Sequence, residues 1–227
     1  MNLTFRLKMI ASFIEKGKVV YDIGCDHALL DIFLTLYNEN KCYACDINKS
    51  ALSNAYQNIK KYHLTDKIDT ICSNGFDDID VLKNSIVVIS GMGTNTILEI
   101  LKNPKIENID TFIIQSNNDH FLLRKELANR NLKIVDEVIV YEKGIYYLIL
   151  KVIHGKIKYS KKDLEFGPIL KKDHSLDTLL YYQNIMNKKL DILKKMPGKY
   201  LGKKLKLLKE ITWLKHILKK NHFKERK

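Results

Sequence analysis

The sequence predicts an α/β protein: an open parallel sheet with helices on both faces, ending in an antiparallel hairpin and followed by a helical C-terminal arm. Three observations carry this reading. Five short β-rich runs between residues 18 and 117 alternate with segments of helical period, as in strand–crossover–strand units. Two longer β-rich runs are then joined only by "EKG", too tight for a crossover helix. Beyond residue 155 the apolar residues fall on helical stripes between many lysines.

The elements follow in order. Leu3, Leu7, Ile10 and Ile14 are spaced 4, 3 and 4, so "LTFRLKMIASFI" is an amphipathic helix, stopped by Gly17. "KVVYDI" is the first strand and "HALLDIFLTLYNE" the helix behind it. "KCYACDI" and "KSALSNAYQNIKKYHL" repeat the unit, and "KIDTICS" is the third strand. "SIVVISGM" is followed by the helix "TNTILEILKN", and "TFIIQSN" by "HFLLRKELANRN". "KIVDEVIVYEKGIYYLILKVI" is the hairpin. In the arm, Leu179, Tyr182, Met186, Leu190 and Leu193 make one stripe. Leu201, Leu205, Leu208, Ile211, Leu214 and Leu218 make another. Pro197 and Gly198 break the helix between them. Two antiparallel helices zipped as a coiled coil put the lysines outside. The expected division is a sheet domain over 1–155 and a basic helical coiled-coil domain over 156–227.

Composition narrows the function. The 227 residues are 45% hydrophobic, enough for a packed core. The N-terminal stretch lacks the continuous apolar region of a signal peptide, and no run of about 18 apolar residues exists to span a membrane. Cys25, Cys42, Cys45 and Cys72 all fall in the first third, and reduced thiols in a cytoplasmic, monomeric protein are the expectation. Cys42 and Cys45 have the C-x-x-C spacing, but residues three apart on a strand point to opposite faces, so no metal site is expected. The charge is asymmetric. Residues 1–150 hold 17 Lys and Arg against 19 Asp and Glu, whereas residues 151–227 hold 22 against 7. A near-neutral body with a strongly basic arm points to a polyanion partner, most simply nucleic acid. Lys203, Lys204, Lys219 and Lys220 are the candidate phosphate contacts.

The chemistry sits in "VVYDIGCDHALLDI", where a buried-looking strand ends in a polar knot. In an open parallel sheet, ligands bind beyond the carboxyl ends of the strands. Dinucleotide folds place three glycines there for a pyrophosphate, but this chain has only Gly24, with Cys25, Asp26 and His27 after it. That disfavours a nicotinamide-dependent reductase. Asp22 and Asp26 repel phosphate and suit a cation, such as a sulfonium with an amino-acid tail. Asp46, with Ile47 beside it, ends the second strand and can accept both hydroxyls of a ribose. Asn74 and Gly75 end the third, and Asn74 can meet an adenine edge. Gly91 and Met92 of "SGMG" form the wall beside the methyl group. Three strand ends thus offer amino-acid, ribose and adenine sites in order, which is the outline of S-adenosylmethionine.

At this point the chain resembles a family, the bacterial tRNA methyltransferases that modify N1 of the adenine at tRNA position 22. The matching pieces are "RLKMIASFI", "DIGCDHALLDIFL", "ACDIN", "SNGF", "SGMGTNTI", "FIIQSNND", "LRKEL", "YEKGIYYLI" and "EFGPIL", in order along nearly the whole chain. Cys25 stands in place of the serine of "DIGSDH", Asn74 where many methyltransferases carry Asp, and Ser116 in place of the proline of a "QPN" stretch. The resemblance implies a Rossmann-like class I methyltransferase sheet with a helical coiled-coil domain behind it, S-adenosylmethionine as cofactor and tRNA as partner. The alternatives are a methyltransferase acting on another RNA and a non-catalytic RNA-binding scaffold that keeps the cofactor pocket. Adenine N1 carries its own lone pair, so the chemistry needs positioning and desolvation rather than a strong base. An acceptor near the exocyclic amine stabilises the cationic product; Asp26 is the first candidate and Asn117 the second. A Cys25 nucleophile is not needed for such a target.

Overall fold

A computed structural model describes the backbone of residues 1–222 and the side chains through Lys219. Its sheet has seven strands: β1 (Val19–Ile23), β2 (Lys41–Asp46), β3 (Ile68–Cys72), β4 (Ser85–Met92), β5 (Ile109–Ser116), β6 (Leu132–Glu142) and β7 (Ile145–His154). They lie in the order β3-β2-β1-β4-β5-β7-β6. The first five run parallel, and β7 inserts antiparallel between β5 and β6. The chain winds outward from β1 to β3 and then crosses back to β4. The order therefore reverses between β1 and β4, and their carboxyl ends diverge there to leave a crevice.

Alternation along each strand builds two core layers. Tyr21, Cys45, Phe76, Val87, Phe112 and Leu150 face one side, while Val20, Cys42, Ala44, Val88, Ile113 and Ile149 face the other. Cys42 and Cys45 thus lie in opposite layers, as the strand period requires. The second layer is covered by α1 (Phe5–Ser12), α2 (Leu29–Asn38) and α3 (Lys49–Lys61). The first is covered by α4 (Thr94–Ile100), α5 (His120–Asn129) and the base of the arm. Each fully buried Ile or Phe in these layers contributes roughly 1.5–3 kcal/mol over an exposed one. α1 is shorter than its apolar spacing suggests. Thr4 caps it by accepting from Leu7 N at 3.3 Å, although the flanking Leu3 and Ile14 are also buried.

The arm comprises α6 (Lys161–Phe166), α7 (Leu176–Lys195) and α8 (Leu201–His222), the last two forming a helical hairpin. Its seam differs from the expected coiled coil. Leu207, Ile211, Leu214, Ile217 and Leu218 face inward, but Leu201, Leu205 and Leu208 are 65%, 59% and 46% exposed. The cause is geometric: the row through Leu207, Ile211, Leu214 and Leu218 already occupies the face of α8 turned to α7. Leu201, Leu205 and Leu208 lie on a second row rotated away from it. The hairpin base joins the first core layer through Phe166, Leu170, Tyr182 and Leu214. A buried cluster fastens it there. Arg124 Nε donates to Glu137 Oε1 at 2.9 Å, and Glu137 Oε2 accepts from Ile169 N and Leu170 N, each at 2.9 Å. Tyr182 donates to the Phe166 carbonyl. Lys189 bridges Glu165 and Glu210 at 2.9 and 2.7 Å, tying α6, α7 and α8 together.

Candidate active site

The polar knot is a tight exit from β1. Gly24 (φ +84°) and Cys25 both donate their N–H to the Cys45 carbonyl, at 2.8 and 3.1 Å, which folds the loop back over β2. Asp26 and Ala28 have φ of 50° and 51°, a strained conformation for non-glycine residues. Ala28 occupies the N-cap of α2, and no side chain caps that helix. Neither Asp26 nor His27 therefore acts as its cap; their side chains lie 3.7 Å apart at the surface, with Asp26 73% exposed.

Two adjoining cavities open at the β1/β4 crevice. One, of about 410 Å³, is lined by Gly24, Asp46, Ile47, Asn74, Gly75 and Met92 among others. The second, of about 460 Å³, is lined by Asp22, Gly24, Cys25, Asp26, His27, Asp46, Gly91 and Met92, with Arg6 and Leu29. They share Gly24, Asp46 and Met92. A Cβ on Gly24 would push aside the Met92 methyl group, and the φ of +84° itself favours glycine here. Asp46 Oδ1 accepts from Asn48 N at 2.8 Å, which fixes the carboxylate and leaves its other oxygen for a ligand. Asn74 donates its side-chain amide to Asp77 Oδ2 at 3.2 Å, and Asp77 Oδ1 accepts from Asn103 at 3.1 Å, so among the described hydrogen bonds the Asn74 side-chain oxygen is left to accept.

Asn117 stands outside both linings. Its amide donates to the Gly91 carbonyl at 2.7 Å, and its oxygen accepts from Gln115 Nε2 at 3.0 Å. It holds the glycine wall in place. Ser116 closes the same turn, bonding to Thr94 Oγ1 at 2.8 Å and donating to the Asn118 carbonyl at 2.9 Å, a local network that proline could not make. Lys203 and Lys219 are exposed, Lys204 is half-buried, and Lys220 lies outside the described side chains.

Burial dominates the electrostatics. Asp22 is pushed up to about 7 by desolvation, against a hydrogen bond with Asp31 and the nearby Arg6 charge. Asp31 is also raised, by desolvation first and then by Asp22 itself. Burial likewise drives the Cys25 thiol far above its usual range, so it is no thiolate nucleophile. Sequence reasoning misses Arg6, Asp31, Gln115 and Asp77. Arg6 sits in a segment that reads only as a helix, and Asp31 inside "LLDIFL" is masked by its apolar neighbours.

A single positive-φ glycine after β1, a fixed carboxylate after β2 and adjoining cavities for a nucleoside and an amino acid define a class I methyltransferase that uses S-adenosylmethionine. Comparison with known proteins agrees. A methyltransferase domain family matches residues 3–150. A Mycoplasma genitalium protein named for tRNA methylation is 31% identical over 80% of this chain and 85% of its own. The Bacillus subtilis tRNA (adenine(22)-N(1))-methyltransferase is 29% identical over 66% of this chain and 64% of its own. A crystal structure of a Streptococcus pneumoniae protein, described as a tRNA (m1A22) methyltransferase in complex with S-adenosyl-L-methionine, superposes with a TM-score of 0.86. It is 30% identical and covers 96% of this chain and 100% of that one. The chain belongs to the family of tRNA (adenine-22-N1) methyltransferases.

Proposed function

We propose that this chain methylates N1 of adenine 22 in tRNA. The observation that carries the chemistry is the pairing of a cofactor-shaped crevice with a wall that offers no nucleophile. Cys25 lines the cavity as a buried neutral thiol, so attack must come from a substrate atom with its own lone pair, and adenine N1 is such an atom. The family supplies the identity of the RNA and of the base.

When bound, S-adenosylmethionine supplies an electrophilic methyl group. The residues that hold it in this reading are Asp46 for the ribose, Asn74 and Gly75 for the adenine, and Asp22 with Gly24 for the amino-acid end. Gly91 and Met92, braced by Asn117, wall the space where the target base enters and keep water from it. Asp26 stands at the mouth, where its carboxylate can accept from the exocyclic amine as the ring becomes cationic. A base within a tRNA helix must be unpaired and swung out, at a cost of a few kcal/mol. The basic arm, residues 156–227, provides phosphate contacts that offset this cost, with Lys203, Lys204, Lys219 and Lys220 as its candidates. This reading takes the enzyme to act as a monomer. Among the described residues no helix is long and apolar enough to cross a membrane. Action on tRNA places the enzyme in the cytoplasm in this reading.

The test is methylation of unmodified tRNA by the purified protein with labelled methyl donor, followed by mapping of the product. Label at N1 of adenine 22 is expected. Label at another base or only in ribosomal RNA overturns the assignment, and no label in any RNA supports the non-catalytic scaffold.

A further inference from the structure

The β6–β7 hairpin ends in exposed apolar side chains beside the mouth of the crevice. β7 is antiparallel to both of its neighbours, so β6 runs the same way as β5 and ends at the edge of the sheet that carries Met92 and Ser116. Leu148 pairs with Ser116 at the end of β5, and Ile145, Tyr146 and Tyr147 extend past it by about 10 Å. The Phe5 N–H donates to Glu142 Oε1 at 2.7 Å, and the next residue, Arg6, lines the 460 Å³ cavity, so the tip stands at its rim. There Tyr141 and Ile145 are 49% and 53% exposed, and neither belongs to a core layer. Yet Tyr141 is held in place. Its ring centre lies 4.7 Å from that of Tyr146, which in turn lies 5.5 Å from that of Tyr181 on α7. Its N–H donates to Asp177 Oδ2 at 3.4 Å, on the first turn of the same helix.

A ring packed against its neighbours yet half open to solvent is a stacking surface, and its surroundings fit RNA. Lys143, in the turn of the same tip, is exposed, and the basic arm starts its first long helix beside Tyr141. The nearby acids, Glu142 and Asp177, each accept a backbone N–H, which turns them toward the protein. A base swung out of a tRNA helix leaves its neighbours without a stacking partner on that side. An aromatic ring at the mouth replaces that partner, and any base suits it because every base has a π-face. We propose that Tyr141 is a platform on which the tRNA nucleotide next to the target adenine stacks while that adenine occupies the crevice. This assignment rests on the tRNA methyltransferase reading of the crevice.

A double-mutant cycle between protein and RNA tests the pairing. The probes are unmodified tRNA and two versions carrying an abasic site, one just before the target adenine and one just after it. The quantity read is kcat/KM for methylation. With the unaltered protein, one of the two abasic sites should lower it roughly fivefold or more, as the loss of a stacked base does. Tyr141→Ala and Tyr141→Leu should lower it by a similar factor on intact tRNA and leave that abasic site a further effect within about twofold. Tyr141→Phe, which keeps the ring, should behave as the unaltered protein does. S-adenosylhomocysteine affinity, melting temperature and the salt slope of tRNA binding should be unaltered in all three variants, because no phosphate contact is removed. Losses from the variant and the abasic site that simply multiply make Tyr141 a support of the hairpin and overturn the proposal. Unchanged kcat/KM in Tyr141→Ala overturns it as well; a dimer that becomes a monomer in that variant on sedimentation assigns the tip to a second copy of the chain instead. If the unaltered protein methylates no tRNA, the reading beneath the proposal fails and the proposal with it.

Discussion

Asp31, on the first turn of α2, is buried close to Asp22 on β1, and neither of its carboxyl oxygens has a hydrogen-bond partner of ordinary geometry. Two buried carboxyls can satisfy each other only by sharing a proton, with one acting as donor and the other as anion. Burial raises both carboxyls, Asp22 to about 7, which favours a proton held by the pair at the end of β1.

The first prediction follows from that proton. Burial raises Asp22 to about 7, so near pH 6 the pair holds a proton that an arriving ammonium disfavours. Binding should expel it, and the affinity for S-adenosylhomocysteine should rise from pH 6 to pH 8, by up to about tenfold per unit below 7. Calorimetry at pH 6 in buffers of differing ionisation heat should register proton release. Stability has the opposite slope. A raised carboxyl favours the folded state fully below about pH 4, and this is lost as pH rises through about 7. Asp31→Asn keeps a donor for Asp22 without the second charge, so its melting temperature should exceed that of the unaltered protein at pH 8 and converge with it at pH 5. Uptake of a proton on binding, or equal melting at both pH values, contradicts the shared proton.

The second prediction concerns Asp46. One of its oxygens is occupied by Asn48 N, and the other is proposed to meet the ribose. Asp46→Ala should weaken S-adenosylhomocysteine roughly 30- to 150-fold, the loss of charge-assisted hydrogen bonds worth about 2–3 kcal/mol. Removing the Asn48 hydrogen bond alone would loosen the start of α3 without such an effect. Unchanged affinity in a folded variant removes Asp46 from the ribose site.

The third prediction separates Asp26 from cofactor binding. Its side chain is exposed at the mouth and paired only loosely with His27. Asp26→Asn should slow single-turnover methyl transfer by about tenfold or more while S-adenosylhomocysteine binds nearly as before. A rate within about twofold, under roughly 0.5 kcal/mol of barrier, excludes a catalytic part for it.

Periodicity alone makes most of this fold legible. The strands announce themselves as β-branched runs, and "EKG" forces a hairpin because no crossover fits between its flanks. The glycine and the acids are legible for a related reason: polar residues interrupting a buried strand need an explanation. What escapes is whatever depends on contacts between distant segments. Arg6 reaches Gln115 across 109 residues, and Arg124 reaches Glu137 and the Leu164 carbonyl, so neither partner shows in local spacing. Asn117 reads as a free acceptor, but its side-chain oxygen already accepts from Gln115 two residues before it, and its amide donates to the Gly91 carbonyl on the neighbouring strand end. The outward row of Leu201, Leu205 and Leu208 reads as buried because its spacing of three and four runs on into Ile211 and Leu214, although successive steps of three turn the row around the helix.

The fourth prediction tests the junction. Gly167 has φ +88°, and an added Cβ would lie 2.5 Å from Glu137 Oε2. Gly167→Ala should therefore strain the backbone and displace a carboxylate that satisfies Arg124, Ile169 and Leu170. The expected loss is about 2–4 kcal/mol of stability, of the size seen when a buried pair is broken. Denaturant unfolding measures it; a loss below about 1 kcal/mol means the cluster does not fasten the arm.

The last prediction concerns the arm as the tRNA grip. Cutting the chain after β7 is a poor test, because Phe166, Leu170, Tyr182 and Leu214 belong to the sheet's own core layer and their removal would expose it. Charge reversal on the surface is cleaner. Lys203 is exposed, Lys204 is half-buried, and Lys219 is exposed about 24 Å further along α8 at 1.5 Å per residue. Lys203→Glu with Lys204→Glu, and separately Lys219→Glu, should leave S-adenosylhomocysteine binding and melting temperature unaltered. Each should weaken tRNA binding whatever the base at the target position. The slope of log affinity against log salt should fall by roughly 0.7–0.9 for each phosphate no longer neutralised. Filter binding across a salt series provides both quantities. If affinity and slope match those of the unaltered protein in both variants, these lysines are a solvated surface and the tRNA is held elsewhere.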